Sequence, residues 1–273
     1  MPTAAEFLEN VQLPTMPDVA QELIATMRDD DIPFEKVRAA ISRDPALTAK
    51  LLRLANSARF GLPRQVASLD DAITMTGLNQ VRTLALAACM SGVFKDADGV
   101  DAKAFWQESM AIAGYAQWLA RTLGSDVPQS WLAGFVVRLG ELIIAQKAPE
   151  QIPAIEQLPR HAGVRWAREQ SLLGFSEAQL TAELARRWNF PDTLVRALET
   201  ADDPLEYKPF CRLGGILHVA MLLAEIGLEE PKSPADTIAS LPEELKRALQ
   251  LDSEWLAEHL PPVAHFVDVD IRS

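Results

Sequence analysis

The chain has 273 residues, of which 48% are hydrophobic and 23% charged, a balance that excludes a disordered chain and supports a sizeable packed core. Its net charge is −12, and residues 1–100 hold 10 basic and 13 acidic side chains, so the larger acidic excess lies in residues 101–273. Such a total argues against a sequence-independent grip on nucleic acid, which needs clustered Lys and Arg to displace counterions.

Strand signals are scarce: no long alternating run and no Asn-Gly or Asp-Gly hairpin occurs, and apolar residues recur at helical spacing nearly throughout. The fold class expected is all-α. A short helix is read over residues 4–11, followed by the extended link LPTMP into a helix over 18–28, which the acidic run Asp29, Asp30 and Asp31 ends. A helix over 34–42 leads into DPALTAKLLRLANSARFG at 44–61, where Asp44 can cap and Pro45 suits the first helical position. Leu47, Leu51, Leu54, Ala55 and Ala58 form one stripe there, Lys50, Arg53 and Arg59 fall mostly elsewhere, and Gly61 is placed to end the helix. Ser68 and Asp71 give a capping-box start for a helix ending before Gly77, and Val81, Leu84, Leu86, Ala88 and Val93 mark a mostly buried one.

The polar stretch KDADGVD at 95–101 is the expected boundary between two lobes. Phe105, Ile112, Ala116, Leu119 and Leu123 mark the next helix, and Asp126 with Pro128 starts WLAGFVVRLGELIIA at 131–145, read as one helix apolar nearly all round. That segment is short for a membrane span and carries Arg138 and Glu141. A helix through Trp166 follows, then a capping box at Ser176 and Gln179, a helix opened by Pro191, one from Leu213 terminated by Gly227, and two short ones after Pro234 and Pro242. The organisation expected is an N-terminal helical lobe over 1–100, a second lobe over 101–227 and a C-terminal extension over 228–273. Cys89 and Cys211 sit in apolar runs with no CxxC or Cys/His cluster, which reads as free buried thiols. MPTAAEFLEN has neither a basic n-region nor a long apolar h-region, so no signal peptide is indicated and a cytoplasmic protein is expected.

Taken together, LPTMP, SRDPALTAKLLRLANSARFG, SLDDAITMTGLNQVRTLAL and FWQESMAIAGYAQWLA resemble the HDOD family, helical output modules of bacterial signalling proteins related to the HD and HD-GYP phosphohydrolases. LAGFVVRLGELIIA and GFSEAQLTAELARRWNFP extend the likeness, so it covers about residues 10–205. Asp44, Pro45, Leu47, Asn56 and Ser57 belong to the signature the resemblance rests on, and for Asn56 and Ser57 a local role is expected, bonding nearby backbone where the helix ends. The resemblance also implies where the hydrolase metal ligands would fall. The helix-start histidine corresponds to Glu108, the HD dyad to Val137 and Arg138, the next histidine to Glu177, and the last histidine pair to Ala201 and Asp202.

Every imidazole expected from that comparison is missing. Val137 cannot ligate, and a permanent cation at Arg138 repels a dication by about 4 kcal/mol per unit charge at close range. His161, His218, His259 and His265 have no metal-helix spacing, and His218, inside an apolar helix, reads as a satisfied core or groove histidine. If the helices pack as in the HD relatives, Glu108, Glu177 and Asp202 converge with Arg138 among them; the alternative is that Arg138 pairs along its own helix with Glu141.

The function expected is a non-catalytic signalling module without cofactor. From the resemblance, its partners would be proteins with receiver, kinase or cyclic-dinucleotide-turnover domains, and Lys50, Arg53 and Arg59 are the candidate interaction surface. Two alternatives stay open. One is a residual phosphohydrolase holding magnesium with Glu108, Glu177 and Asp202; the other is a small-molecule or nucleotide sensor using a cleft between the lobes.

Overall fold

A computed structural model describes residues 2–9, 11, 13–27, 33–56, 64–94, 99–157, 162–229 and 231–267. Among these residues the secondary structure is helical, without a strand. Six helices lie before residue 100: α1 (Ala4–Glu9), α2 (Asp18–Thr26), α3 (Phe34–Ser42), α4 (Pro45–Ala55), α5 (Leu69–Thr76) and α6 (Leu78–Val93). Next come α7 (Ala102–Thr122), α8 (Val127–Val136), α9 (Leu139–Lys147), a 3-10 turn (Pro149–Gln151), α10 (Ile152–Ile155), α11 (Val164–Leu173), α12 (Glu177–Arg187), α13 (Asp192–Glu199) and α14 (Arg212–Glu229). The chain closes with α15 (Pro234–Ala239), α16 (Glu243–Leu249), α17 (Ser253–His259) and α18 (Ala264–Val267).

Local chemistry sets most of these starts. Asp44 caps α4, its Oδ1 accepting from the amides of Ala46 at 2.9 Å and Leu47 at 3.0 Å, with Pro45 at the first helical position. Leu47, Leu51, Leu54 and Ala55 are buried against the core as their spacing predicts. Ser68 Oγ accepts from the Asp71 amide at 3.1 Å, and Ser176 with Gln179 makes both halves of a capping box, each bond 3.2 Å long. Asn56 ends α4 and reaches ten residues ahead: its amide group exchanges two hydrogen bonds with the Val66 backbone, 2.8 and 2.7 Å long. Its local role is therefore to clasp the end of α4 to Val66. Ser57, Ala58, Arg59 and Gly61 lie outside the described residues, as do 29–31, most of the 95–101 boundary and His161.

α7 is the axis of the larger part of the molecule, packing against α8, α14 and α18. Small residues make this closeness possible. A Cβ on Gly134 would stand 2.9 Å from Ala113 Cα, so the α7 and α8 backbones approach too closely for any side chain there. Trp131, Phe135 and Trp106 stack at centroid distances of 5.4 Å, and Phe105 closes the row edge-on to Trp106 at 4.9 Å.

The first six helices are joined to the rest by one contiguous core. α6 packs on α8, Phe94 meets Trp188 at 6.1 Å, and the Gln117 amide donates to Gln80 Oε1 at 3.3 Å. α1 lies on α12, where Phe7 packs against Phe175 and Arg187 donates to the Leu8 and Ala5 carbonyls. Cys89 is buried, Cys211 is partly so, and both are free thiols.

The structure changes three of the expected elements. The apolar segment at 131–145 is two helices, α8 and α9, broken at Val137 and Arg138. Thr181 of α12 causes the break by entering the backbone ladder: its hydroxyl donates to the Val137 carbonyl at 2.9 Å and accepts from the Gly140 amide at 2.7 Å. The stretch Val127–Lys147 is long and apolar enough to cross a membrane, yet 83% of its most apolar window is buried inside the fold. Second, Gly227 does not terminate its helix, because α14 continues to Glu229. A Cβ at Gly227 would lie 3.0 Å from Val263 Cβ, so that glycine answers a packing demand. Third, α17 and α18 follow the two short helices anticipated near the C terminus. α18 seats Phe266 over Gly114, where a Cβ would stand 2.2 Å from the ring, and beside Tyr115 at 4.8 Å.

Replacing Asn56 with Ala strands the Val66 amide and carbonyl in a part-buried position, at a cost of about 1–3 kcal/mol. A fall in the urea midpoint with unchanged slope is the expected measurement; an unchanged midpoint would show that the clasp contributes nothing.

Candidate functional site

The break between α8 and α9 points Arg138 into the molecule. Its guanidinium pairs with Glu108 of α7, with Glu141 at 2.6 Å and with Glu177 of α12 at 3.3 Å. A second cation lies beside it. Arg165 of α11 pairs with Glu156, with Glu169 at 3.0 Å, with Glu141 at 3.3 Å and with Glu177 at 3.4 Å. Glu141 and Glu177 thus each touch both guanidiniums. The side chains of Glu169 and Glu177 are 0% exposed, and those of Arg138 and Arg165 only 9% and 11%.

The Glu177 position is fixed from three sides. Its backbone amide donates to Glu169 Oε2 at 2.7 Å, and its carbonyl shares the Thr181 hydroxyl. α9 crosses directly over it: a Cβ on Gly140 would stand 2.2 Å from the Glu177 carbonyl oxygen. Phe105 supplies an apolar floor, its centroid 5.8 Å from the Arg138 Cζ.

Two guanidiniums facing five carboxylates leave excess negative charge in a place with little water, and protonation relieves it. Burial raises the Glu177 carboxyl pKa although Arg165 and Arg138 oppose it. For Glu169, burial and the Glu177 charge push the pKa up to about 8, against the pull of Arg165. Burial disfavours the Arg165 charge, but Glu141, Glu177 and Glu169 outweigh that and hold its pKa above the ordinary value.

The sequence-derived convergence therefore holds for Glu108, Arg138 and Glu177, and the alternative pairing with Glu141 exists at the same time. Asp202 needs correcting. It is not one of the carboxylates paired with Arg138: its Oδ2 accepts from Gln170 at 3.1 Å, because the turn after α13 carries it onto a neighbouring cavity. Val137 and Ala201 are fully buried among apolar side chains. His218 Nδ1 bonds the Ala201 carbonyl at 2.8 Å, and burial lowers its pKa, as suits a satisfied groove histidine. Sequence reasoning missed Arg165, Glu156 and Glu169. The signal was the Arg165–Glu169 spacing of four on a helix whose next residue, Trp166, points into the core.

A dinuclear metal centre does not fit this donor set. Guanidinium nitrogens already engage Glu108, Glu141 and Glu177, and no group of three or more His, Cys, Asp or Glu among the described residues is placed to hold a metal ion. Over the cluster lies a cavity of about 380 Å³ lined by Phe105, Glu108, Ile152, Pro153, Arg165 and Arg168, among others.

The family model for the HDOD domain matches residues 13–204. The chain belongs to the HDOD family. Among solved structures, a Shewanella amazonensis SB2B protein that carries a provisional phosphohydrolase name is 28% identical, with a TM-score of 0.79 over 99% of both chains. An HDOD domain protein from Geobacter sulfurreducens shares the fold at 21% identity, with a TM-score of 0.78 over 98% of this chain and 94% of that one. A curated relative from Treponema pallidum is 26% identical over 209 residues, 72% of this chain, and the match spans 40% of that relative's length. This HDOD chain is thus an all-α helical module, sharing its fold with the solved members.

Two measurements follow from the geometry. Arg138→Met leaves three carboxylates around an absent cation and should destabilise the fold by about 3–5 kcal/mol, whereas adding Glu177→Gln should recover part of that loss. Chemical denaturation of the parent chain and both variants tests it, and a neutral Arg138→Met would refute the cage. The second concerns pH. Because Glu169 has a higher pKa folded than its ordinary 4.5, the folded state binds the extra proton between about pH 4.5 and 8, so the contribution is full at low pH and fades as pH rises through 8. Melting temperature should fall from pH 6 to 9, and Glu169→Gln should flatten that slope.

Proposed function

We propose that this HDOD chain is a non-catalytic cytoplasmic signalling module that works by binding another signalling protein. The observation that carries the reading is the Arg138 guanidinium seated among Glu108, Glu141 and Glu177, at the dyad position where HD hydrolases keep a metal ligand. Metal-dependent hydrolysis needs a dication to lower the pKa of a water and to screen phosphate charge. Here an organic cation takes that electrostatic place, and it has no vacant coordination site with which to activate water. The buried ion cage then serves as structure: it locks α7, α9, α11 and α12 in one arrangement.

The partner expected from the family is a protein with a receiver, kinase or cyclic-dinucleotide-turnover domain. The proposed contact surface is α4, with Arg53 exposed and Lys50 partly so. The residual-hydrolase alternative requires magnesium on Glu108, Glu177 and Asp202, and the first two of these are engaged by Arg138 while Asp202 faces another cavity.

Purified chain incubated with cyclic dinucleotides and bis(p-nitrophenyl) phosphate, with magnesium or manganese, should give no turnover above buffer. Turnover that disappears in Glu177→Gln would overturn the reading. Pull-down from the native cell supplies the partner, and Lys50→Glu with Arg53→Glu should then weaken capture about ten-fold or more. Undiminished capture would remove α4 from the contact surface.

A further inference from the structure

A cavity of about 1040 Å³ opens between α11, α12, α14 and the turn that follows α13. That is room for a small organic molecule. One wall is apolar, formed by Trp166, Leu222, Ile226 and Leu241. Trp166 is held against the His218 ring, 4.6 Å between centroids. The facing wall is a relay of side-chain amides: Gln179 Nε2 donates to the Tyr207 hydroxyl at 3.4 Å, and Gln170 Nε2 donates both to Gln179 Oε1 at 3.0 Å and to Asp202 Oδ2 at 3.1 Å.

This relay fixes Asp202 through one oxygen. The other, Oδ1, is buried without a hydrogen bond at ordinary distance and angle; burial raises the carboxyl pKa, while Gln170, the Ser176 hydroxyl and the backbone at 202–203 favour its charge. Trp166 Nε1 is likewise buried with no acceptor. The charge of the lining selects among ligand classes. Asp202, Asp203, Glu206, Glu225 and Glu229 line the cavity against one lysine, Lys232, and burial favours the neutral form of His218. A phosphate or carboxylate brought here meets like charge, whereas a cation gains from the carboxylates and from the aromatic wall.

We propose that this cavity binds an organic cation, a protonated amine on an apolar or aromatic body, with Asp202 accepting from the ammonium and the body lying along the Trp166 and Leu222 wall. The proposal is independent of the adaptor reading, since such a site could serve a module with any output.

Tryptamine, tryptophol and indole-3-acetate share an indole body and differ in charge, so calorimetry with the full chain separates charge from shape. Tryptamine should bind about ten-fold or more tightly than tryptophol, a difference of about 1.4 kcal/mol, and indole-3-acetate should not bind. Asp202→Asn should cost tryptamine about the same factor. Ala167→Trp, which fills the mouth from an exposed position on α11, should abolish binding while leaving the fold intact by circular dichroism. Equal affinity for tryptamine and tryptophol, a preference for the acid, tryptamine binding that survives both variants, or no tryptamine binding at about millimolar concentration would each overturn the proposal.

Discussion

Two guanidiniums inside a shell of glutamates are the constraint on which the rest of this fold depends. Arg138 comes from the break between α8 and α9 and Arg165 from α11, and their carboxylate partners come from α7, α9, α11 and α12 and from the residue after α10. Helices carrying this much buried charge cannot slide past one another without separating ions in a poorly hydrated interior, so the cluster specifies their relative positions more sharply than apolar packing alone. Such cages are a weak source of net stability, because desolvation offsets most of the Coulomb gain. Their effect is on uniqueness.

The helix pattern was legible in the chain because the signals are local. Asp44 with Pro45, Ser68, and Ser176 with Gln179 each announce a helix start within four residues, and the structure places helices there. The failures share one cause, which is action from a distance in sequence. Nothing near Val137 in the chain breaks the apolar helix, since the agent is Thr181, forty-four residues away. Gly227 looks like a terminator until Val263 is placed against it.

The site followed the same division. Residues carried over from the HD pattern gave Glu108, Arg138 and Glu177 correctly as neighbours, because that pattern encodes packing as well as chemistry. Asp202 departed from it because a single turn after α13 decides which cavity its carboxylate meets. Arg165 occupies no position in the pattern, and its role appears only when α11 is laid over the α9–α12 crossing. The 57–63 part of the family signature, with Ser57 and Arg59, lies outside the described residues.

The Thr181 hydroxyl has a mechanical implication. Neither proline nor glycine breaks the backbone at Val137 and Arg138; a side chain from another helix holds it open. The 21 residues of Val127–Lys147 are therefore a continuous helix in waiting, with the Val137 carbonyl and the Gly140 amide on loan to α12. Thr181 reaches both groups only in the present register of α12, the same register that seats Glu177 against Arg138. The bend between α8 and α9, the ion cage and the seat of α1 thus all hang on the placement of one helix, α12.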